Sequence, residues 1–493
     1  MGHLIVLALV LPLITGAVTM TQSGQKAIRF INLLGSLLLS FTLLMIVQYV
    51  VKTGIIHVGQ FYIDSLSAVV LLVVATLTCT ATLFSLSYME QEILEGKVSF
   101  KMLKRYYALF NLFAFTMVCV PVVENMGLLW VAVEATTLSS ALLVAFYFNR
   151  AALEAAWKYV MVCTVGICLA LLGTILLYYA QVNADLSGAG KALSWLEIQA
   201  VSDKLDPGMI KLAFVFILIG YGTKAGLAPM HTWLPDAHSQ APSPVSGLLS
   251  GGLLSCALYG IIRMVIIVKG AVGPAFPEQF LIGFGLFSIM IAVPFILVQQ
   301  DLKRLLAYSS IEHMGLITLG LGLGTPLALY GALLHIINHA VTKSTLFYLA
   351  GAIIQHYGTK NILRIKGLVS AMPVIGAMFV AAVLAIAGLP PFSIFYSKLS
   401  IIWAAFQSGN SWLGAIILLL MAAIFAGMIY YTLKVGFGPI PSKVTVNYRL
   451  GKPAMVAVSG SMVIMIVGGI YLPAWLDTLI KQAVAIIILG GGL

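Results

Sequence analysis

Long apolar stretches recur along this 493-residue chain, about fourteen of them, each near the roughly 20 residues that a helix needs to cross a hydrocarbon core of about 30 Å. In lipid every backbone N–H and C=O must be satisfied within the protein, so such stretches fold as α-helices. The fold class expected is therefore an all-α polytopic membrane bundle. Its spans are expected near 3–20, 28–51, 62–88, 105–122, 125–147, 153–180, 209–233, 240–268, 279–299, 303–324, 326–356, 372–400, 411–436 and 454–472. A short amphipathic tail, about 475–489, carries Asp477 and Lys481 and suits the membrane surface. Only 9% of residues are charged, against about 25% in soluble domains, which leaves no water-facing surface for a soluble domain. The most polar connection, Gln181 to Gly208, is too short to be one. The run from Leu4 lacks a basic leader and reads as a first span rather than a cleaved signal.

The net charge of +11 is scattered between apolar spans, which points to membrane topology and not to nucleic acid. With the N-terminus outside, inner loops hold about sixteen Lys and Arg and outer loops about seven, as the positive-inside rule expects. The inner group includes Lys26, Arg29, the cluster Lys97 to Arg105, Arg150, Lys303, Arg304, Lys360, Arg364, Lys366, Lys434, Lys443, Arg449 and Lys452.

The order of spans also looks repeated. Spans four to eight (105–268) and nine to thirteen (279–436) form two blocks of five, preceded by 1–104 and followed by 437–493. The fourth span of each block is interrupted alike, by Gly226-Leu227-Ala228-Pro229 and by Gly388-Leu389-Pro390-Pro391. Five spans per block force opposite topology on the two copies. Interrupted spans at matching places mark the ion path of transporters built from inverted repeats.

Five spans carry ionisable residues in apolar surroundings: Glu134 on the fifth, Lys158 on the sixth, Lys224 on the seventh, His335, His339 and Lys343 on the eleventh, and Lys398 on the twelfth. Each charge near the bilayer centre costs about 2.5–3.5 kcal/mol on insertion scales. Three or four together approach about 10 kcal/mol, the stability of a whole domain. The i, i+4, i+8 spacing of His335, His339 and Lys343 stacks them along one helix face, and imidazoles so stacked can pass a proton. Glu134 facing Lys224 forms a pair whose attraction depends on protonation, so that uptake by one trades against release by the other.

Competing readings stand beside these. Lys158 and Lys398 suit snorkelling to the interface, and Glu134 with Lys224 suits a static packing pair. His231, Asp236 and His238 fit an interfacial turn as well as a proton exit, and Asp64 and Glu124 fit solvated caps at span ends. The five cysteines form no CxxC pair, and GLGLG from Gly320 follows no strand. No Walker, HExxH or GxSxG motif occurs, so neither a metal site nor a bound cofactor is expected in this chain.

Three motifs in order, GTKAGLAPMHTWLPDAHSQAPSP from Gly222, DLKRLLAYSSIEHMG from Asp301 and AGLPPFSIFYSKL from Ala387, resemble the antiporter-like proton-pumping subunits of respiratory complex I, membrane-bound [NiFe] hydrogenases and multisubunit cation/proton antiporters. The resemblance runs from about residue 62 to 436. Within that family it is nearest the hydrogenase-4 component F branch of formate-hydrogenlyase-type complexes, in which Glu312 stands inside LAYSSIEHMG. The resemblance implies fourteen helices with two inverted five-helix repeats and broken seventh and twelfth helices. It assigns Glu134 and Lys224 as the paired charges, His335, His339 and Lys343 as the central line, and Lys398 as the charge beyond the second break. Two positions depart: Ser255 stands where relatives carry a lysine or histidine on the eighth helix, and Lys398 where some hydrogenase-4-like members have glutamate. A serine can hold water but cannot change charge near neutral pH.

The function expected is that of a proton-translocating subunit of a redox complex in the cytoplasmic membrane, its partners being other membrane subunits, soluble hydrogenase or dehydrogenase subunits and lipid. A subunit of a cation/proton antiporter, a complex I chain 4-like subunit and a non-pumping scaffold remain open on the residues alone.

Overall fold

The computed structural model describes residues 1–184, 192–409, 411–442, 444 and 450–489. The loop cations Lys443 and Arg449, and part of the 181–208 connection, lie outside the described residues. Among the described residues twenty α-helices run in order: α1 (Gly2–Thr21), α2 (Gln25–Thr53), α3 (Ser65–Leu94), α4 (Phe100–Val122), α5 (Met126–Val144), α6 (Arg150–Asn183), α7 (Trp195–Ala200), α8 (Pro207–Ala225), α9 (Trp233–Gln240), α10 (Ser243–Leu248), α11 (Leu254–Val272), α12 (Ala275–Val298), α13 (Leu302–Leu323), α14 (Pro326–Tyr357), α15 (Leu368–Ala371), α16 (Pro373–Ala387), α17 (Ser393–Gln407), α18 (Ser411–Gly436), α19 (Lys452–Ile470) and α20 (Ala474–Leu489). One antiparallel hairpin, Ile56–Val58 with Phe61–Ile63, precedes α3 and was not foreseen.

Helices fall where the apolar stretches fall, and eleven among the described residues are long and apolar enough to cross a membrane. Helices α13 and α14 are as long as a span but more polar than those eleven. They lie at the centre instead, where almost every side chain is buried among other helices. Outer helices α1, α2, α6, α18 and α19 turn large apolar side chains outward, among them Phe30, Phe41, Trp157, Leu419 and Val456. That inversion of the soluble pattern matches a hydrocarbon surround.

Both interruptions have one geometry. Helix α8 ends at Gly226 and α16 at Gly388, each in the left-handed conformation that glycine adopts without strain, and a cis X-Pro bond follows in each (Ala228-Pro229, Pro390-Pro391). The backbone freed by the first break is satisfied from α12: the Ala228 N–H donates to Ser288 Oγ at 2.9 Å. At the second break α19 packs so closely that a Cβ on Gly469 would overlap the Pro391 carbonyl oxygen. The twelfth expected span continues past residue 400, to Gln407. Between α10 and α11 the buried segment Leu249–Leu253 winds as a π-helix, a local form frequent at functional sites. Helix α20 packs on α3, α14, α2 and α11 rather than standing apart.

Two span-end carboxylates are not solvated caps. Asp64 caps α3 by accepting from the Ser67 N–H, yet it is buried and takes a bidentate contact from Arg263 of α11 at 2.6 and 2.7 Å. The Arg263 guanidinium lies 4.1 Å from the Trp195 ring centroid and 4.8 Å from that of Tyr259. Glu124 is buried as well, held by His57 at 2.8 Å and by the Ser194 hydroxyl at 2.5 Å. In both cases a carboxylate taken out of water is compensated by a basic side chain or by hydrogen-bond donors.

Candidate functional site

Glu134 stands half-buried on α5, and Lys224, 1% exposed, lies in the last turn of α8, two residues before Gly226 at the first break. They do not pair directly. The Thr137 hydroxyl donates to Glu134 Oε2 at 2.8 Å and accepts from Lys224 Nζ. Thr137 lies three residues on from Glu134, hence on the same helix face. Lys224 also sits over the Tyr159 ring, 5.3 Å from its centroid, with the Tyr159 hydroxyl 2.8 Å from Ser140 Oγ. The expected pair is thus a carboxylate and an ammonium with one hydroxyl between them.

Lys158 does not join this interior group. Its side chain is half-exposed and holds Glu154, one helical turn away, at 2.7 Å and Asp236 of α9 at 3.4 Å, while Arg304 reaches the other Asp236 oxygen at 3.1 Å. Asp236 is therefore a surface tie between α6, α9 and α13. An amphipathic stem near the start of a span carries its ammonium outward, as snorkelling predicts. His231 lies buried in the first break near the Phe295 ring. His238, on α9, is wholly buried, stacks on Phe347 of α14 with ring centroids 4.8 Å apart, and leaves both ring nitrogens without a hydrogen-bond partner.

The second cluster is larger. His335, His339 and Lys343 line one face of α14 and are fully buried. Lys343 Nζ donates to the Ser309 hydroxyl at 2.6 Å and the Leu306 carbonyl at 2.9 Å. His313 of α13, which sequence reasoning missed, joins the line: its Nδ1 is 2.8 Å from His335 Nε2, and its ring centroid lies 5.2 Å from that of His339. His335 Nδ1 is in turn 2.8 Å from Ser397 Oγ of α17. Glu312, buried, receives Lys398 Nζ at 3.1 Å and has His313 Nε2 at 3.2 Å, outside hydrogen-bond geometry. A signal for His313 was present, since Glu312-His313 is a titratable dipeptide inside an apolar helix.

Gly388 explains how Lys398 reaches inward, because a Cβ there would meet the lysine Cδ at 3.0 Å. The second break thus opens room for the side chain that follows it, and Lys398 does not snorkel.

Between the clusters lies the π-helical turn. Ser255 spends its hydroxyl on its own helix, donating to the Gly251 carbonyl at 2.6 Å. Ser250 instead reaches across to Ser310 of α13 at 2.8 Å. Among the described residues no group of His, Cys, Asp and Glu is arranged to hold a metal ion, and the free cysteines lie apart along the helices.

Residues 123–425 match the family model described as NADH:quinone oxidoreductase/Mrp antiporter, transmembrane, and residues 54–97 match that of the complex I chain 5 N-terminus. The chain belongs to this antiporter-like membrane subunit family. A hydrogenase-4 component F homolog of Methylacidiphilum infernorum is 39% identical over 381 residues, covering 77% of this chain and 80% of that one. Among solved structures, a subunit of the archaeal membrane-bound sulfane sulfur reductase, a respiratory membrane complex, superposes with TM-score 0.86 at 26% identity over 98% of this chain and 97% of its own. A subunit of the Mrp complex of a Dietzia species gives 0.85 at 20% identity over 99% and 98%, a likeness of fold. The structural neighbours of this antiporter-like subunit are parts of multisubunit membrane complexes, and the chain itself is a multi-span membrane protein.

Proposed function

We propose that this antiporter-like subunit translocates protons within a multisubunit redox complex of the hydrogenase or formate-hydrogenlyase type, with electron transfer carried by partner subunits. The observation that carries the reading is the buried titratable series Lys343, His339, His313, His335, Glu312 and Lys398, neighbours in space through the middle of the bundle. Lone charges in that position are expensive. A contiguous set of groups with exchangeable protons is what a proton path requires.

The half-exposed Glu134 is the group a neighbouring subunit can address. A charge arriving beside it weakens its hold on Thr137, and through that hydroxyl on Lys224, so Lys224 changes its proton affinity without moving far. Ser250, Ser310 and Ser309 lead from the π-helical turn to Lys343, and hydroxyls there hold the water that Ser255 alone cannot replace. His238 lies within electrostatic reach of both Lys303 and Lys343 and suits a link from the Lys303 side to the line. Membrane subunits fit as direct partners, soluble hydrogenase or dehydrogenase subunits as indirect ones, and the cation distribution supports an N-terminus outside the cytoplasmic membrane.

Replacing Lys224 by alanine in the assembled complex is expected to abolish proton pumping while electron transfer to a soluble acceptor stays measurable. An unchanged proton-to-electron ratio in that variant would end the proposal.

A further inference from the structure

A cavity of about 860 Å³ opens where α3, α9 and α14 end and where α6, α10 and α13 begin. Alternation of the spans puts all these ends on one face, the one rich in Lys and Arg. Its wall includes Glu92, Lys97, Arg150, Lys303, Gln355 and Lys360. Glu92 is the one carboxylate among the described residues lining the cavity, and it has no part in the path argued above. It is 3% exposed and accepts from the neutral Gln355 amide at 2.8 Å, and no cation among the described residues forms an ion pair with it.

The cavity's cations are largely answered elsewhere. Lys97 pairs with Glu95 at 2.6 Å. Lys360 donates to the Ser239 hydroxyl at 3.0 Å and lies 3.7 Å from Asp301. Lys303, 4% exposed, points its Nζ at the Ala241 carbonyl at 2.5 Å and feels the charge of Glu92. The buried Glu92 and Lys303 side chains therefore face one shared space. At about 30 Å³ per water, a space of about 860 Å³ has room for on the order of thirty molecules.

We propose that this cavity is the proton-collecting vestibule of the second half, with Glu92 as the group that takes protons from its water and Lys303 as the one that receives them. A hydrated proton binds one Glu92 carboxylate oxygen, leaving neutral water behind. The carboxylic acid then returns that proton through cavity water to Lys303 once Lys303 has passed its own proton inward. Each transfer breaks one O–H or N–H bond and forms another, with no oxidant or reductant involved. Gln355 holds Glu92 on the cavity wall, which Tyr88 and Tyr147, 3.1 Å apart across their hydroxyls, also line.

This inference rests on the proton-translocating reading, and its test separates the two. In the assembled complex reconstituted in vesicles, Glu92→Gln is expected to slow pumping and coupled electron transfer together by at least about tenfold. Imidazole buffer supplied on the cation-rich side restores the rate, and Glu92→Asp stays near the parent. Pumping at the parent rate in Glu92→Gln overturns the vestibule. So does an equal loss in both variants without rescue by imidazole, which marks a purely structural glutamate. If Lys224→Ala and Lys343→Ala stop pumping while Glu92→Gln does not, only the vestibule falls.

Discussion

Substituting Glu312 by glutamine perturbs the most tightly connected point of the line. The carboxylate lies 3.1 Å from Lys398 Nζ and 3.2 Å from His313 Nε2, and all three side chains are buried. At an effective dielectric near 20, unit charges 3.1 Å apart attract by about 5 kcal/mol. Removing one partner of such a pair typically costs about 3–5 kcal/mol, because the remaining charge is left uncompensated. Glutamine preserves the volume and one acceptor, so the loss falls on charge rather than packing. If protons cross through the Glu312–Lys398 contact, a penalty of that size slows the step by about two to nearly four orders of magnitude. The assay is vesicle acidification by the reconstituted complex, with electron transfer followed in the same sample and intactness checked by native electrophoresis. Full acidification per electron in intact Glu312→Gln complex would refute the assignment of this contact to the path.

Other outcomes follow from neighbouring contacts. Ser250→Ala removes the tie to Ser310 and is expected to slow pumping about tenfold or more, whereas Ser255→Ala, whose hydroxyl bonds its own helix, leaves it within about twofold; equal effects in a vesicle assay would contradict the assignment of the crossing to Ser250. Asp64→Asn strands the buried Arg263 and is expected to destabilise the subunit by about 3–5 kcal/mol, read as a lower unfolding temperature in detergent, with Asp64→Leu/Arg263→Met recovering part of it. Lys158→Ala sits in an exposed ion cluster that solvent screens, and both pumping and thermal stability are expected to stay near the parent.

Much of this was legible in the sequence because lipid permits few structures. The spacing of apolar stretches located the helices, and the Gly/Pro runs at Gly226 and Gly388 located the breaks. The i, i+4, i+8 spacing put His335, His339 and Lys343 on one buried face. What stayed hidden involved partners distant in sequence. Thr137 between Glu134 and Lys224, His313 against His335, and Arg263 on Asp64 are contacts between helices, and helix periodicity carries no information about which faces meet. Lys158 and Lys398 show the same limit: both are lysines within spans, but one leans outward to Asp236 while the other turns inward to Glu312, because only the second has Gly388 beside its stem. Buried Asp64 and Glu124 were misplaced for a related reason, since a carboxylate at a span end looks solvated until its distant partner is known.

In the proposed path protons cross the bundle through neighbouring side chains, and Lys343 is where the serine crossing and the histidine line meet. The most direct measurement is the proton-to-electron ratio of the purified complex carrying Lys343→Ala, at electron flux matched to the parent. A ratio lowered by this subunit's whole contribution is the predicted result; the parent ratio, with the variant chain present and assembled, would contradict it.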